Sequence, residues 1–396
     1  MKSSRWLFGL IWLAGLVLGV VGVAERLLDG HRLAGYTSYV PWGIWVAAYI
    51  YFIGLSAGAF FLSSLIYVFD LRRLEQIGKL ALFTAITTLF MALLSIWFDL
   101  GHLERFYSVF TRPNFKSMMA WMVWLYTAYF LLLLVETYYA LRGDRGPLKV
   151  LGIIGIPLAI AFHGGVGALF ATLIAREYWH SAIYPILFLT GALMSGGALM
   201  TALVAFFWPR RNPAWADLVQ LLGRVTLGLL MLDVLLEWAE FSIPMWYRVG
   251  SEYVLMKNVL FGSHWYVFWI VHGLLGVAVP VALLITAPRR PLAVGAAAAL
   301  AAVTFFAVRL NLVIPGLITP QLQGLQTAYQ SHRLSYQYTP TVFEWQVLLF
   351  VVVLGIGVFY LGYRHLPLTA GPAESELGRP VRHPDAISHS LDAGGE

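Results

Sequence analysis

The sequence predicts an all-α integral membrane protein of ten transmembrane helices, and three observations carry that expectation. Sixty per cent of its 396 residues are apolar or aromatic and only 12% are charged, about half the charge of an ordinary soluble chain. The apolar residues fall in runs long enough to cross a bilayer, which takes roughly 20 residues per helix. The charges fall between the runs and divide unequally between the two sides. There is no cysteine, which excludes disulfides, thiol catalysis and any iron–sulfur cluster ligated by this chain. The net charge of +6 then reads as a topology signal, not as a nucleic-acid footprint.

The expected spans are 6–24, 42–69, 79–98, 118–141, 149–174, 182–208, 217–241, 265–287, 292–314 and 342–363. Breakers separate them at Gly143 to Pro147, Pro209 to Pro213 and Pro288 to Pro291. Residues 1–364 therefore form one transmembrane domain. The polar, Pro- and Gly-rich segment 365–396 reads as a disordered cytoplasmic tail. The first span competes with a signal peptide, because Lys2, Arg5 and an apolar run precede Gly22-Val23-Ala24. A retained helix is favoured by the length of the run, and the other nine keep their orientation either way.

Fifteen Lys and Arg flank the spans on the side of the N-terminus, among them Arg72, Arg73, Arg142, Arg210, Arg211, Arg289 and Arg290. Nine lie opposite, Arg26, Arg32, Arg105, Arg112, Lys116, Arg176, Arg248, Lys257 and Arg333, spread over longer loops, notably 99–117, 242–264 and 315–341. The positive-inside rule then places both termini in the cytoplasm and the long loops outside the bacterial inner membrane. A shift of 138 positions superposes Gly58 on Gly196, Arg72-Arg73 on Arg210-Arg211 and Asp99 on Glu237. This echo suggests two related four-helix bundles, helices 2–5 (42–174) and 6–9 (182–314), flanked by helices 1 and 10. Small residues four apart, Gly54 with Gly58 and Ala192 with Gly196, permit close helix packing.

Ionisable groups inside a bilayer cost a few kcal/mol each and are functional candidates by default. Asp99, Glu237, Glu240, His264, His272, Arg309 and Glu344 fall toward the outer side, Glu136 and Arg224 toward the inner side, and Asp233 near the midplane. Asp233, Glu237 and Glu240 share one helix face. Arg224 and Arg309 are the expected cations inside the spans, with Arg309 at the depth to neutralise Glu237 or Glu240. Two readings compete: an ion-pair network tying helix 7 to helix 9, or a hydrated cavity for proton exchange. His163 precedes Gly164-Gly165 and, with an outer carboxylate such as Asp99, has the chemistry that a quinone needs. A haem would need paired axial histidines on facing helices, and the histidines well inside the spans, His163 and His272, offer one pair at most.

The order of these residues resembles a known family. Pro41-Trp42-Gly43 opens helix 2, Ile96-Trp97-Phe98-Asp99-Leu100-Gly101-His102 ends helix 3, and a lone His163 sits on helix 5. Ala239-Glu240, Arg309-Leu310 and Tyr338-Thr339-Pro340-Thr341-Val342-Phe343-Glu344 follow. Together they resemble the NrfD/PsrC family of polysulfide-reductase-type membrane subunits, in its ten-helix branch. The resemblance implies a subunit of a respiratory oxidoreductase without haem or iron–sulfur centres of its own. Such a subunit binds menaquinone or ubiquinone near the outer face. A peripheral ferredoxin-like iron–sulfur subunit docks there and connects it to a molybdopterin enzyme or a hydrogenase. By position, the resemblance makes Asp99 and His163 the quinone-site pair, lined or supported by Glu240 and Arg309, with Glu237 beside them. Glu136, Asp233 and Arg224 become candidates for a proton path. The alternatives are a secondary transporter built from two repeats and a purely structural membrane anchor.

Overall fold

The computed structural model describes residues 2–369 apart from 323, 330 and 332. Ten helices are long and apolar enough to span a membrane, and among the described residues there is no strand. They are α1 (Trp6–Asp29), α2 (Ile44–Val68), α3 (Glu75–Asp99), α4 (Met118–Arg142), α5 (Arg145–Ala171), α6 (Tyr184–Phe207), α7 (Trp215–Tyr247), α8 (Val267–Thr286), α9 (Pro291–Ile318) and α10 (Val342–His365). The expected tail, 365–396, begins at the last residue of α10. Its part 370–396 lies outside the described residues.

Several boundaries depart from the sequence expectation for local reasons. Helix α5 starts at Arg145, so Pro147 lies in its first turn and not in a breaker; a proline there removes no helical hydrogen bond. Helix α7 runs on past 241 through Pro244 to Tyr247, and Gly250–Phe261 forms a further, shorter helix. Helix α9 is jointed at Phe305, between Pro291–Thr304 and Phe306–Ile318. The first part of α8, Val267–Ala278, winds as a π-helix, a rare form that widens the turn to i→i+5 bonding.

Helices α2, α3, α4 and α5 pack in a ring, each against the next and α5 back against α2. Helix α6 packs on α2, α5, α7 and α9, and α8 lies against α9. The α2–α6 contact uses the small residues expected for it. A Cβ on Gly196 would meet Gly58 Cα at 2.6 Å, and one on Gly58 would collide with the Ala192 carbonyl. The two backbones are therefore in direct contact. Helix α1 runs antiparallel on α10: Gly22 lies on Gln346, Gly19 on Phe350 and Gly15 on Val353. The start of α1 and the end of α10 thus share one end of the molecule with the short connections; this is the short-turn end. The longer segments 30–43, 100–117, 172–183, 248–266 and 319–341 make up the loop end.

Candidate functional site

Ionisable side chains gather at two levels. The first cluster sits at the loop end, where α3 finishes and α10 begins. Tyr36 Oη donates to Asp99 Oδ1 at 2.6 Å, and Tyr338 Oη donates to Glu344 Oε1 at 2.6 Å. Glu344 is fully buried, and its Oε2 accepts from Gly35 N at 3.0 Å and Thr341 N at 2.9 Å. Thr341 and Glu344 form a capping box at the start of α10, which satisfies orphan donors of the first turn. Buried Arg26 comes from α1 and donates through Nε to Phe98 O at 2.8 Å and through Nη2 to Leu100 O. Its charge thereby meets the carbonyl end of α3.

The ring of Tyr36 packs edge-on to His31 and Trp45, at 5.2 and 6.0 Å between centroids. His31 Nε2 is buried without a hydrogen-bond partner. Burial, and then the charge of Arg26, depress the His31 pKa, so its ring is neutral at neutral pH. Burial and the Asp99 carboxylate push the Tyr36 phenol well up, so it stays a proton donor. The arrangement combines a neutral imidazole with a free nitrogen, a tyrosine–carboxyl pair and flat aromatic walls. Groups of this kind can hold and pass a proton at a hydrogen-bonded oxygen.

The second cluster lies deeper. His163 is fully buried; its Nε2 bonds to Phe188 O at 2.8 Å, while Nδ1 has no partner. The Arg309 guanidinium stacks over Phe188 and Phe305, with Cζ 4.5 and 4.9 Å from the ring centroids. Its Nε and Nη2 are also without partners. Asp233 is buried beside it. Glu237 does not pair with Arg309, as its depth suggested, but with His272, Nε2 to Oε2 at 2.7 Å. The π-helical part of α8 carries this histidine. Glu240 is half-buried one turn beyond, within electrostatic reach of Tyr178 and Tyr184.

Asp99 and His163 therefore stand in different clusters. Tyr338 Oη meets the start of α2 at Ile44 N, whereas His163 faces Gly54 on the same helix. Ten residues at 1.5 Å each put His163 about 15 Å deeper than the Asp99 cluster. Glu136 is buried on α4 with Oε1 unpartnered. Arg224 lies within the α7 span, as expected, but on the exposed face of that helix and not among the buried charges. That helix buries Leu222, Gly223, Thr226, Leu230 and Asp233, and one residue past Gly223 is about 100° around the helix.

Sequence reasoning missed His31, Tyr36 and Tyr338 as site residues. They belong to connecting segments and reach Asp99 and Glu344 only through tertiary packing. One signal was available: Thr341-Val342-Phe343-Glu344 has the capping-box spacing, and it fixes the carboxylate that holds Tyr338.

Fold and site together define an all-helical, multi-pass membrane protein with ionisable groups buried at two levels. The chain belongs to the NrfD family: the family model described as "Polysulphide reductase, NrfD" matches residues 33–321. It is 35% identical to the C subunit of selenate reductase from Mesobacillus selenatarsenatis, over 89% of this chain and 92% of that protein. It is 27% identical to the Hdr-like menaquinol oxidoreductase integral membrane subunit of Archaeoglobus fulgidus, over 90% and 92%. With the C chain of polysulfide reductase from Wolinella succinogenes the identity is 26%, over 63% and 84%. The relatives are thus membrane subunits of oxidoreductase complexes.

Proposed function

We propose that the chain is the quinone-exchanging membrane subunit of a multi-subunit respiratory oxidoreductase, with the quinone headgroup held in the loop-end cluster of Asp99, Tyr36 and His31. The carrying observation is the Tyr36–Asp99 hydrogen bond beside the unpartnered Nε2 of His31. A quinone oxygen supplies the partner that this nitrogen lacks, and Trp45, Tyr36 and Tyr338 provide apolar walls. Asp99 holds or releases a proton through Tyr36 at one oxygen, and His31 faces the other. The named relatives act with menaquinol or in reductase complexes, which supports menaquinone or ubiquinone as the exchanged molecule.

In this reading the loop end faces outward from the bacterial inner membrane and both termini are cytoplasmic, as the Lys and Arg distribution suggests. A ferredoxin-like iron–sulfur subunit docks over the loop end and carries electrons to or from a molybdopterin enzyme or a hydrogenase. His163, Arg309, Asp233, Glu237 and Glu240 form the buried layer beneath, and His163 supports the site from depth instead of touching the headgroup together with Asp99. The test is quinol-dependent turnover of the purified complex carrying Asp99→Asn or Tyr36→Phe. Turnover falls by about two orders of magnitude, the usual scale for general acid–base groups, while the complex stays assembled. Full activity in both variants would remove the site from this cluster.

A further inference from the structure

At the short-turn end, the first turns of α3 carry Gln76, Lys79 and Phe83 on one stripe, at spacings of three and four residues. Both sides of that stripe are occupied. Asn212, in the connection between α6 and α7, donates through Nδ2 to Gln76 Oε1 at 2.9 Å, which brings the neighbouring Arg211 to the start of α3. On the other side Phe83 meets α10: its ring centroid is 6.2 Å from that of Phe359, and a Cβ on Gly362 would strike it. Phe207, the last residue of α6, closes the rim. Its ring lies 6.0 Å from Phe359 and 5.8 Å from Tyr363, and its carbonyl accepts from Tyr363 Oη at 2.6 Å. The ends of α6 and α10 thus meet through aromatic side chains, which leaves a shallow groove floored by α3. Phe207 remains 45% exposed along it.

The mouth of this groove is cationic. Lys79 is half-buried one turn below Phe83, and a helical side chain leans toward its N-terminus, here the short-turn end. A lysine so placed keeps its stem on apolar surface and its ammonium at the water boundary. Arg211 is exposed on the α6–α7 connection, and Arg364 is exposed in the last turn of α10, next to Tyr363. None of the three has an ion pair among the described residues, while the acids at the start of α3 are taken: Asp70 holds Arg72 at 3.4 Å and Glu75 holds Arg145 at 2.7 Å. Asp217, in the first turn of α7, pairs with none of them. Membrane orientation needs only positive charge on one side. It does not need separate elements to bring unpaired cations around one aromatic groove.

We infer that this groove binds an anionic phospholipid, with the phosphate held by Lys79, Arg211 and Arg364 and one acyl chain laid along Phe207, Phe359 and Phe83. Arginine takes phosphate oxygens through paired N–H groups, and lysine adds a point charge. Basic pockets between transmembrane helices are where such headgroups bind. A soluble phosphate would meet the same cations but gain nothing from the aromatic wall, so the lipid is the occupant that charge and surface both fit. Helix α1 packs chiefly on α10, and α10 on α3 and α2. A lipid seated across α3, α6 and α10 therefore fastens this outer pair of helices to the rest of the bundle. The inference does not depend on the quinone site.

The experiment is native mass spectrometry of the detergent-purified full chain, delipidated and then titrated with dioleoyl phosphatidylglycerol, dioleoyl phosphatidylcholine or sodium phosphate. Phosphatidylglycerol forms a retained one-to-one adduct and raises the unfolding temperature; the other two do neither. Lys79→Gln/Arg211→Gln weakens the adduct about thirtyfold, and Arg364→Gln, at an exposed position that folding tolerates, weakens it about fivefold. Arg289→Gln/Arg290→Gln, which removes as much charge from another connection at the same end, leaves it unchanged. Equal losses in the two double variants would reduce the effect to the diffuse field of the short-turn end and overturn the site. Equal retention of phosphatidylcholine, or displacement of the lipid by phosphate, would overturn the ligand. Glu374→Gln/Glu376→Gln tests the chain's own tail as the occupant: unchanged lipid affinity supports the inference, and a tenfold rise would show those acids to fill the groove instead.

Discussion

Glu344 is the most connected acid of the loop-end cluster, and its removal has a worked cost. Its carboxylate accepts from Gly35 N, Thr341 N and Tyr338 Oη. In Glu344→Ala these three donors, one buried and two half-buried, lose their acceptor. At about 1 kcal/mol for each stranded donor, the low end of the range, the segment 30–43 and the start of α10 lose about 3 kcal/mol. The loss is local, because the segment is a connection that opens separately from the helices it joins. Hydrogen–deuterium exchange read by mass spectrometry on the detergent-purified protein measures it. Exchange in peptides covering 31–43 and 338–344 accelerates by about two orders of magnitude, since 1.4 kcal/mol is a factor of ten. Glu344→Gln keeps one acceptor oxygen and accelerates exchange about tenfold. Unchanged protection in Glu344→Ala would refute the claim that this carboxylate holds the segment down.

The Glu237–His272 pair offers a double-mutant cycle. Glu237→Ala and His272→Ala each destabilise by about 3 kcal/mol, as breaking a buried pair does, and the double variant costs clearly less than the sum; additive losses in denaturant unfolding would show the 2.7 Å contact to be incidental. Gly58→Leu drives a side chain into the Ala192 carbonyl and Gly196, so the folded yield collapses, whereas Gly228→Leu, which faces open space, folds as well as wild type. The Tyr36 and Tyr338 phenols are both raised by burial, then by the Asp99 and Glu344 carboxylates respectively. The unfolded phenol binds its proton less tightly, so stability from these groups is complete below the ordinary tyrosine value near 10 and falls as pH rises beyond it. Phenolate absorbance during an alkaline titration of the folded protein should lose two late-titrating tyrosines, and no early ones, in the Tyr36→Phe/Tyr338→Phe double variant.

The ten spans were legible because length and hydropathy suffice to mark a bilayer crossing, and Arg72-Arg73 and Arg210-Arg211 mark its ends. Asp233, Glu237 and His163 were found for the same reason: charge within a span stands out against its neighbours. What hid was everything that depends on azimuth or on loops. Arg224 lies only one position past the inward-facing Gly223, and that step turns it outward. His272 reaches Glu237 from a π-helical stretch of α8, a local winding that no hydrophobic period records. Tyr36 and Tyr338 look like ordinary interfacial aromatics until α1 and α10 close on each other and set both against Asp99 and Glu344.

That clasp of α1 on α10 also orders events in time. Asp99 and Tyr36 emerge from the ribosome early, but Tyr338 and Glu344 follow Asp99 by more than two hundred residues. At 5–20 residues per second the interval is roughly 10–50 s. Until α10 inserts and seats Gly22, Gly19 and Gly15 of α1, the segment around Tyr36 has no carboxylate to anchor Gly35. A nascent polypeptide stalled short of α10 thus has most of its helices in the membrane but an unfinished loop-end cluster, and only completion of synthesis anchors the segment around Tyr36.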